Sequence, residues 1–169
     1  MPTDMFANTN RKGWRAAPLA WLQSPGFAVI TCWRLAHRLN RKGPLLRLLS
    51  AIIWRYGVAR HGCYISLNAQ IGPRLRLPHA TGIVIGDGAR IGSDVTIYQH
   101  VTLGRADDRT DGYPWVGDGC CLYAGAVIVG NVHLGDRAIV GANSVVLSDV
   151  PQGATVVGSP ARPVINERT

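Results

Sequence analysis

One histidine stands where a sequence repeat is interrupted, which makes it the first candidate for chemistry. His79 lies in the segment 78–82, Pro-His-Ala-Thr-Gly. Imidazole titrates near neutral pH, so a well-placed histidine can act as a general base. His100 follows in the segment 98–101, Tyr-Gln-His-Val, and we expect it near the same edge of the fold. For His100 a structural role and contact with a bound molecule are equally open.

A polar segment is the second candidate. Residues 105–114 stand between Leu103 and Val116, two repeat positions that are thirteen residues apart. About seven of these residues must therefore bulge out as a loop, and loops on a rigid scaffold often carry binding residues. Tyr113 is the aromatic residue of this loop. We expect this insertion and the one around His79 to build a site together.

The element that must position both candidates is a six-residue repeat. Period six fits neither the helical period of 3.6 nor the strand period of 2. It is the sequence form of a parallel β-helix, in which three hexapeptides make one triangular coil and the repeated aliphatic residue points into the core. We expect roughly five coils, with the glycines that follow many aliphatic residues placed at corners because they lack a Cβ. The series are Ile65, Ile71, Leu77; Ile85, Ile91, Ile97, Leu103; and Val116, Leu122, Ile128, Leu134, Val140, Val146.

Charge and cysteine content narrow the classes of partner. The net charge is +8 and the sequence pI is about 9.9, which favours anionic partners such as lipid or a phosphorylated cofactor. No nucleic-acid-binding motif accompanies the arginines, so we expect no nucleic-acid partner. The four cysteines show no CxxC spacing, and Cys120 and Cys121 are adjacent. We interpret the cysteines as small apolar residues of a cytoplasmic protein.

The N-terminal third is predicted to be helical. Residues 1–12 are polar and expected to fray. The uncharged run 16–33 is interrupted by prolines and is too short to span a membrane. Ser24-Pro25 predicts the start of a helix that ends at Gly43-Pro44, and a second helix is predicted from Leu45 to Ala59. Both helices are apolar on one side and basic on the other. We favour packing of the apolar side on the coil, and keep open a peripheral contact of residues 16–59 with the cytoplasmic face of the inner membrane.

Several segments then carry a family resemblance. They are 79–86 (His-Ala-Thr-Gly-Ile-Val-Ile-Gly), 101–104, 123–126, 141–146 and 158–162. In this order they resemble the left-handed β-helix (hexapeptide-repeat) acyltransferases, in the serine acetyltransferase branch, and most closely its exopolysaccharide or colanic-acid-type O-acetyltransferases. The resemblance covers about residues 60–165. It implies a mainly β homotrimer, with an N-terminal helical region at 1–60, a left-handed parallel β-helix at 61–163 and a tail at 164–169.

The resemblance also implies a reaction. Acetyl-CoA would bind in grooves between neighbouring coils and pass its acetyl group directly to an acceptor hydroxyl, with His79 as general base and no metal. Backbone N–H groups near Gly104 and Arg105 would stabilise the oxyanion. The remaining cofactor-binding candidates are small residues that let the pantetheine arm approach and an arginine for the phosphates: Ala124, Gly125, Gly141, Ala142 and Arg162.

Three positions depart from the serine acetyltransferase pattern. The family carries an aspartate fifteen residues before the catalytic histidine, where this chain has Tyr64, and a second aspartate directly before it, where this chain has Pro78. The Arg-His pair of the family's loop is replaced by Gly112-Tyr113. In the family these positions recognise the amino acid, and uncompensated charges in a partly buried site are expensive. Arg105, Arg109 or Asp111 could stand in. We therefore expect a neutral saccharide acceptor of surface or exopolysaccharide biosynthesis, free or lipid-linked, contacted by Tyr64, His100 and Tyr113.

Two other functions stay open. One is a serine O-acetyltransferase of cysteine biosynthesis, although the short tail 164–169 ends in threonine and predicts no complex with a sulfhydrylase. The other is a non-catalytic or metal-binding hexapeptide protein. The metal-binding group needs three histidines across coil edges, and beyond His79 and His100 no matching third is apparent.

Overall fold

The computed structural model of the chain describes residues 2–10, 14–107 and 112–164. The C-terminal tail beyond Val164, together with Arg109 and Asp111, lies outside the described residues. Helices come first and strands follow. The helical elements are α1 (Pro2–Thr9), a 3-10 turn (Trp14–Ala16), α2 (Ala17–Gln23), α3 (Pro25–Asn40) and α4 (Pro44–His61).

The strands are short and form three sheets that the chain visits in turn. The strands are β1 (Tyr64–Ile65), β2 (Gln70–Ile71), β3 (Val84–Ile85), β4 (Arg90–Ile91), β5 (Thr96–Ile97), β6 (Thr102–Gly104), β7 (Trp115–Val116), β8 (Cys121–Leu122), β9 (Val127–Val129), β10 (His133–Leu134), β11 (Ile139–Val140), β12 (Val145–Val146), β13 (Thr155–Gly158) and β14 (Ala161–Pro163). Within the described residues, sheet A has the order β1-β3-β6-β9-β12, sheet B β10-β7-β4-β2 and sheet C β14-β13-β11-β8-β5. All pairings are parallel except the closing pair of β13 and β14.

The six-residue repeat sets the register of every sheet, and the prediction of about five coils is confirmed. In sheet A, Ile65, Ile85, Leu103, Ile128 and Val146 pair in register along five strands. Each of these side chains is at most 2% exposed. Of the thirteen residues in the three series, all but the half-buried Ile71 are buried. The aliphatic ladder is therefore the core of the β-helix.

A second buried ladder, which the series of aliphatic residues does not predict, stands two residues before the first. Its members are small or β-branched, such as Ala89, Val95 and Ala126, and are fully buried. Cys120 belongs to this ladder, where burial raises the pKa of its thiol to about 11 and Sγ donates a hydrogen bond to the Gly135 carbonyl at 3.2 Å. The interpretation of Cys120 as a core residue is thus confirmed.

The glycines that directly follow repeat residues lie at corners, as expected, but close packing rather than the backbone conformation of the turn requires them. The left-handed φ angles at the corners between sheets B and C fall on other residues, among them Arg74 (φ 60°), Asp94 (φ 59°) and Arg137 (φ 58°). A Cβ on Gly92 would lie 2.3 Å from the Asp118 carboxylate oxygen of the next coil. Close approach of the next coil, rather than backbone conformation, excludes a side chain there.

The first helix is ordered against the coil, so the prediction of a frayed N-terminus is wrong for residues 2–10. The buried Asp4 carboxylate pairs with the Arg34 guanidinium of α3 at 3.0 Å. The Asn8 side chain donates to the Leu75 carbonyl and accepts from the Leu77 N–H, both at 2.8 Å. Side-chain hydrogen bonds to the backbone of the first coil therefore fix α1 in place.

The two longer helices form as predicted, but α4 is turned the other way. The Ser24 hydroxyl caps α3 by accepting from the Phe27 N–H at 3.2 Å. On α4, the Trp54 indole donates to the Ile65 carbonyl at 2.8 Å and Ser50 donates to Ala36 at 2.7 Å. The apolar side that was expected to pack on the coil is exposed instead. No described helix is long and apolar enough to cross a bilayer.

We expect a large loss of stability when an aliphatic side chain of the core ladder is truncated. Ile128 is fully buried and pairs with Leu103 and Val146. We expect Ile128→Ala to lower the free energy of unfolding by about 2–5 kcal/mol, because the transfer free energy is lost and a cavity remains. Urea unfolding at one fixed protein concentration measures it. Ile52→Ala on the exposed face of α4 is the control, with an expected change of about 0.5 kcal/mol or less. Equal losses would contradict the core assignment.

Candidate active site

The corners between sheet C and sheet A stack into one edge, which we call the His79 edge. It consists of residues 78–82, 98–101, 123–126 and 141–144, each lying above the last because the coils repeat in register. His79 is exposed on this edge, and its carbonyl accepts from the Thr81 N–H at 2.8 Å. The two extra residues of the first corner therefore project the imidazole away from the core.

Two tyrosines continue the edge beyond the histidine. The rings of His79 and Tyr98 have centroids 6.1 Å apart, and Tyr98 stacks on Tyr123 at 5.2 Å and 7°. The electrostatic interaction with Cys121, together with the side-chain hydrogen bond between the two residues, raises the pKa of the Tyr123 hydroxyl. Tyr123 was missed as a site residue in the sequence. Its signal was there, since Tyr98 and Tyr123 each follow a repeat residue of sheet C directly.

His100 is brought to the same edge. Its backbone is left-handed, with φ 59°. Its ring covers Gly82, where a Cβ would lie 2.2 Å from His100 Nδ1. The two histidines therefore occupy adjacent corners, His79 in the first and His100 in the one stacked on it.

The cofactor-binding candidates lie higher on the His79 edge. Ala124, Gly125, Gly141 and Ala142 fall in the next two corners. Small residues are needed here because space is short: a Cβ on Gly125 would lie 2.2 Å from an oxygen of Asn143. The result is a narrow strip of backbone and small side chains above His79, open to an amide-rich ligand.

Arg162 closes the edge at its far end. It pairs with Val157 in the hairpin of β13 and β14, and the Gly158 N–H donates to the Ser144 hydroxyl at 3.0 Å. The guanidinium is exposed. Four coil steps of about 4.8 Å separate the corner of His79 from this hairpin, or roughly 19 Å. A base and a cation thus stand at opposite ends of one strip.

A different edge carries the loop residues, and we call it the Tyr113 edge. The Tyr113 ring lies flat on the corner after β3, where a Cβ on Gly86 or Gly88 would come within 2.4 Å of the ring. The Arg105 guanidinium sits over the same ring at 5.6 Å from its centroid. Gly104 is the last residue of β6 and leads into this edge.

The two edges border opposite sides of sheet A, so one protomer does not bring all the predicted site residues together. About five or six residues of extended chain cross that face, roughly 15–20 Å. The residues His79, His100, Ala124, Gly125, Gly141, Ala142 and Arg162 fall near one edge, and Gly104, Arg105 and Tyr113 at the other.

Tyr64 belongs to neither group by its contacts. It occupies the outward side of β1, 43% exposed, and its ring meets Trp54 of α4 edge-on at 5.4 Å. Its sequence position matches the aspartate that orients the family's histidine, but here the ring is engaged by the helical region. Its predicted contact with an acceptor stays a prediction.

Comparison with known proteins agrees with this architecture. Residues 113–148 match the family model described as bacterial transferase hexapeptide (six repeats). The serine acetyltransferase of Helicobacter pylori is 40% identical over 149 residues, covering 85% of this chain and 84% of that protein. The serine acetyltransferase of Haemophilus influenzae is 41% identical over 157 residues, with 90% of this chain covered but only 56% of the longer relative.

Solved structures give the same result. A serine acetyltransferase in complex with CoA superposes with a TM-score of 0.82 at 36% identity, covering 96% of this chain and 67% of that one. Soybean serine acetyltransferase complexed with serine gives a TM-score of 0.83 at 38% identity, with coverages of 96% and 67%. These folds are left-handed β-helices with N-terminal helices, as predicted here.

These comparisons correct two predictions. The saccharide acceptor in surface polysaccharide biosynthesis is wrong, because the matching relatives and structures are serine acetyltransferases. The closer resemblance to exopolysaccharide O-acetyltransferases is likewise unsupported. With a relative 40% identical and matched over 84% of its length, the chain belongs to the serine acetyltransferase family and is an acetyl-CoA-dependent acyltransferase.

Proposed function

We propose that the chain transfers the acetyl group of acetyl-CoA to the hydroxyl of serine. The observation that carries this proposal is the match to the Helicobacter pylori serine acetyltransferase over most of both chains, helices included. The His79 edge supports it, because a base, a strip of small residues and a cation follow one another along this one edge of the β-helix.

His79 is the general base of the proposed reaction. Its imidazole takes the proton of the serine hydroxyl as that oxygen attacks the thioester carbonyl. The tetrahedral oxyanion needs fixed N–H donors, and the backbone around Gly104 and Arg105 is assigned to them. Collapse of the intermediate breaks the bond from carbon to sulfur, and the leaving CoA thiolate recovers the proton from the imidazolium. The products are O-acetylserine and CoA, and no metal takes part.

A homotrimer completes this site. His79 and Arg105 lie on opposite borders of sheet A, too far apart to touch one serine within a single protomer. A ring of three protomers would set the His79 edge of each one against the Tyr113 edge of its neighbour, three times by symmetry. CoA would then lie in the groove between neighbouring protomers.

The acceptor's two charges need partners, and the Tyr113 edge offers both. We assign the serine carboxylate to Arg105, because a guanidinium matches a carboxylate with two parallel hydrogen bonds. The serine ammonium is assigned to the exposed Asp87, which lies between the two glycines under the Tyr113 ring and accepts from the Ser66 hydroxyl. Arg105 thus replaces the arginine that the family carries at the position of Gly112.

A direct assay tests the acceptor. Purified protein with acetyl-CoA and L-serine is expected to release CoA at least about tenfold faster than without an acceptor, since the hydroxyl replaces water as nucleophile. Thiol release gives the rate and mass spectrometry identifies O-acetylserine. N-acetylserine and serine amide, each lacking one charge of serine, are the controls and are expected to react poorly. Transfer to sugars without transfer to serine would refute the proposal.

A further inference from the structure

Helix α4 exposes a continuous row of large apolar side chains. Leu45, Leu48, Leu49, Ile52 and Tyr56 are 77%, 61%, 44%, 59% and 52% exposed. Their spacing of three and four residues puts them on one side of the helix. We call this row the α4 stripe. The opposite side of α4 already packs inward, so the stripe is not needed to hold the helical region together.

The apolar surface extends onto the neighbouring helix. Leu22 of α2 is 78% exposed and Trp21 is 36% exposed. Both line a pocket of about 250 Å³ whose other wall includes Tyr56 and Arg60. Soluble proteins rarely leave contiguous apolar patches of this kind uncovered, and such patches commonly mark a surface that meets a partner.

Charge identifies the kind of partner. No aspartate or glutamate occurs between Met5 and Gly86, whereas twelve lysines and arginines do. Four exposed cations border the two ends and one flank of the stripe: Arg41, Lys42, Arg55 and Arg60. The acidic residues of the chain, apart from Asp4, all lie on or beyond the second coil. The helical region is therefore a cationic surface with an apolar centre.

We propose that the α4 stripe docks on the surface of an anionic lipid bilayer. An apolar row flanked by arginine and lysine is the pattern of a helix that lies in the interface, with its apolar side among acyl chains and its cations at lipid phosphates. A second copy of the chain fits less well. A two-fold contact through this patch would set like charges against each other, because the patch has no acidic residue to pair with them.

The docked stripe would lie at the end of the β-helix that carries His79, because the Gly82 N–H of the His79 corner donates to the carbonyl of Gly62, directly after α4, at 3.0 Å. The helical region contacts the first coil, through Trp33 to Ser66 and Trp54 to Ile65 at 2.8 Å each. The His79 edge rises from that end toward the hairpin of β13 and β14. In the proposed trimer, three stripes would lie at one end of the assembly, and simultaneous engagement of three sites strengthens membrane binding.

Vesicle binding tests this inference. The full chain is mixed with vesicles of phosphatidylcholine alone, or of phosphatidylcholine with about one-third phosphatidylglycerol, and the bound fraction is measured by sedimentation. We expect binding to the anionic vesicles at least about tenfold stronger than to the neutral ones, weakening as salt is raised. Leu48→Gln/Ile52→Gln is expected to reduce it about tenfold or more, as is Arg55→Gln/Arg60→Gln.

Matched controls separate docking from folding and from self-association. Leu147→Gln changes an equally exposed leucine, 59%, on the coil and should bind vesicles like the wild type. Circular dichroism melting confirms that the variants fold. The proposal is refuted if the wild-type protein does not bind the anionic vesicles. It is also refuted if Leu48→Gln/Ile52→Gln keeps full vesicle binding. If the wild type does not bind vesicles and Leu48→Gln/Ile52→Gln forms a smaller oligomer than the wild type in sedimentation, the stripe is instead a contact between copies of the chain.

Discussion

Replacing His79 by alanine is expected to lower serine-dependent acetyl transfer by about 10²–10⁴-fold, the usual contribution of a positioned general base. The substitution removes the only group assigned to take the serine proton. The affinity for CoA should change little, because the residues assigned to bind CoA, from Ala124 to Arg162, lie higher on the same edge. His79 is exposed at a corner, so the variant should also fold. Steady-state kinetics give the rate and calorimetric titration gives the CoA affinity.

Two other histidines serve as controls for this result. His133 is exposed on sheet B, where its ring lies 4.7 Å from that of Trp115, and His133→Ala should keep wild-type turnover. His100 shares the edge with His79. If His100→Ala abolished turnover and His79→Ala did not, the base would have to be reassigned to His100.

The fold was predictable because its core is nearly one-dimensional. Each coil contacts only its neighbours, so a single repeated residue determines the register of all three sheets. The step of eight between Leu77 and Ile85 marked the corner of His79 in the same way. A departure from a strict repeat is visible without any structure, because the repeat itself supplies the expectation.

The orientation of α4 was not predictable by that route. Its sequence shows one apolar side, and the usual inference is that this side packs on the core. In the structure the inward side instead carries Ser50 and Trp54, whose polar atoms donate to the backbone. This orientation comes with hydrogen bonds to specific carbonyls, and sequence periodicity does not show them.

The acceptor prediction failed for a reason that the geometry explains. Charged partners for serine were sought at the family's own positions, where Tyr64, Pro78 and Gly112 stand. The Tyr113 edge presents a cation from another position, because Arg105 reaches over the Tyr113 ring. The sequence offers Arg105 as a stand-in, but only the structure shows on which edge it lies. Loss of a charge at one motif position does not remove the charge from the site.

Mixed trimers are expected to recover activity that neither parent variant has. Arg105→Gln removes a hydrogen bond between opposite charges, worth about 1.5–3 kcal/mol, and should raise the KM for serine roughly 10–100-fold. At serine concentrations well below that KM it is nearly inactive, as is His79→Ala. If each site takes His79 from one protomer and Arg105 from the next, every mixed trimer contains one intact site. Equal co-expression should then restore about a quarter of wild-type activity, because three-quarters of the trimers are mixed and one site in three is whole.

The alternative arrangement gives an opposite result from the same mixture. If His79 and Arg105 served one site within a single protomer, no protomer in any mixed trimer would hold both residues, and activity would stay at the residual level of Arg105→Gln. Wild-type protein co-expressed with the His79→Ala/Arg105→Gln double variant supplies the control for assembly. Trimers with one double-variant protomer keep one whole site if sites are shared between protomers and two if they are not. Sheet A separates the two residues by roughly 15–20 Å, which is why sharing is the expected result.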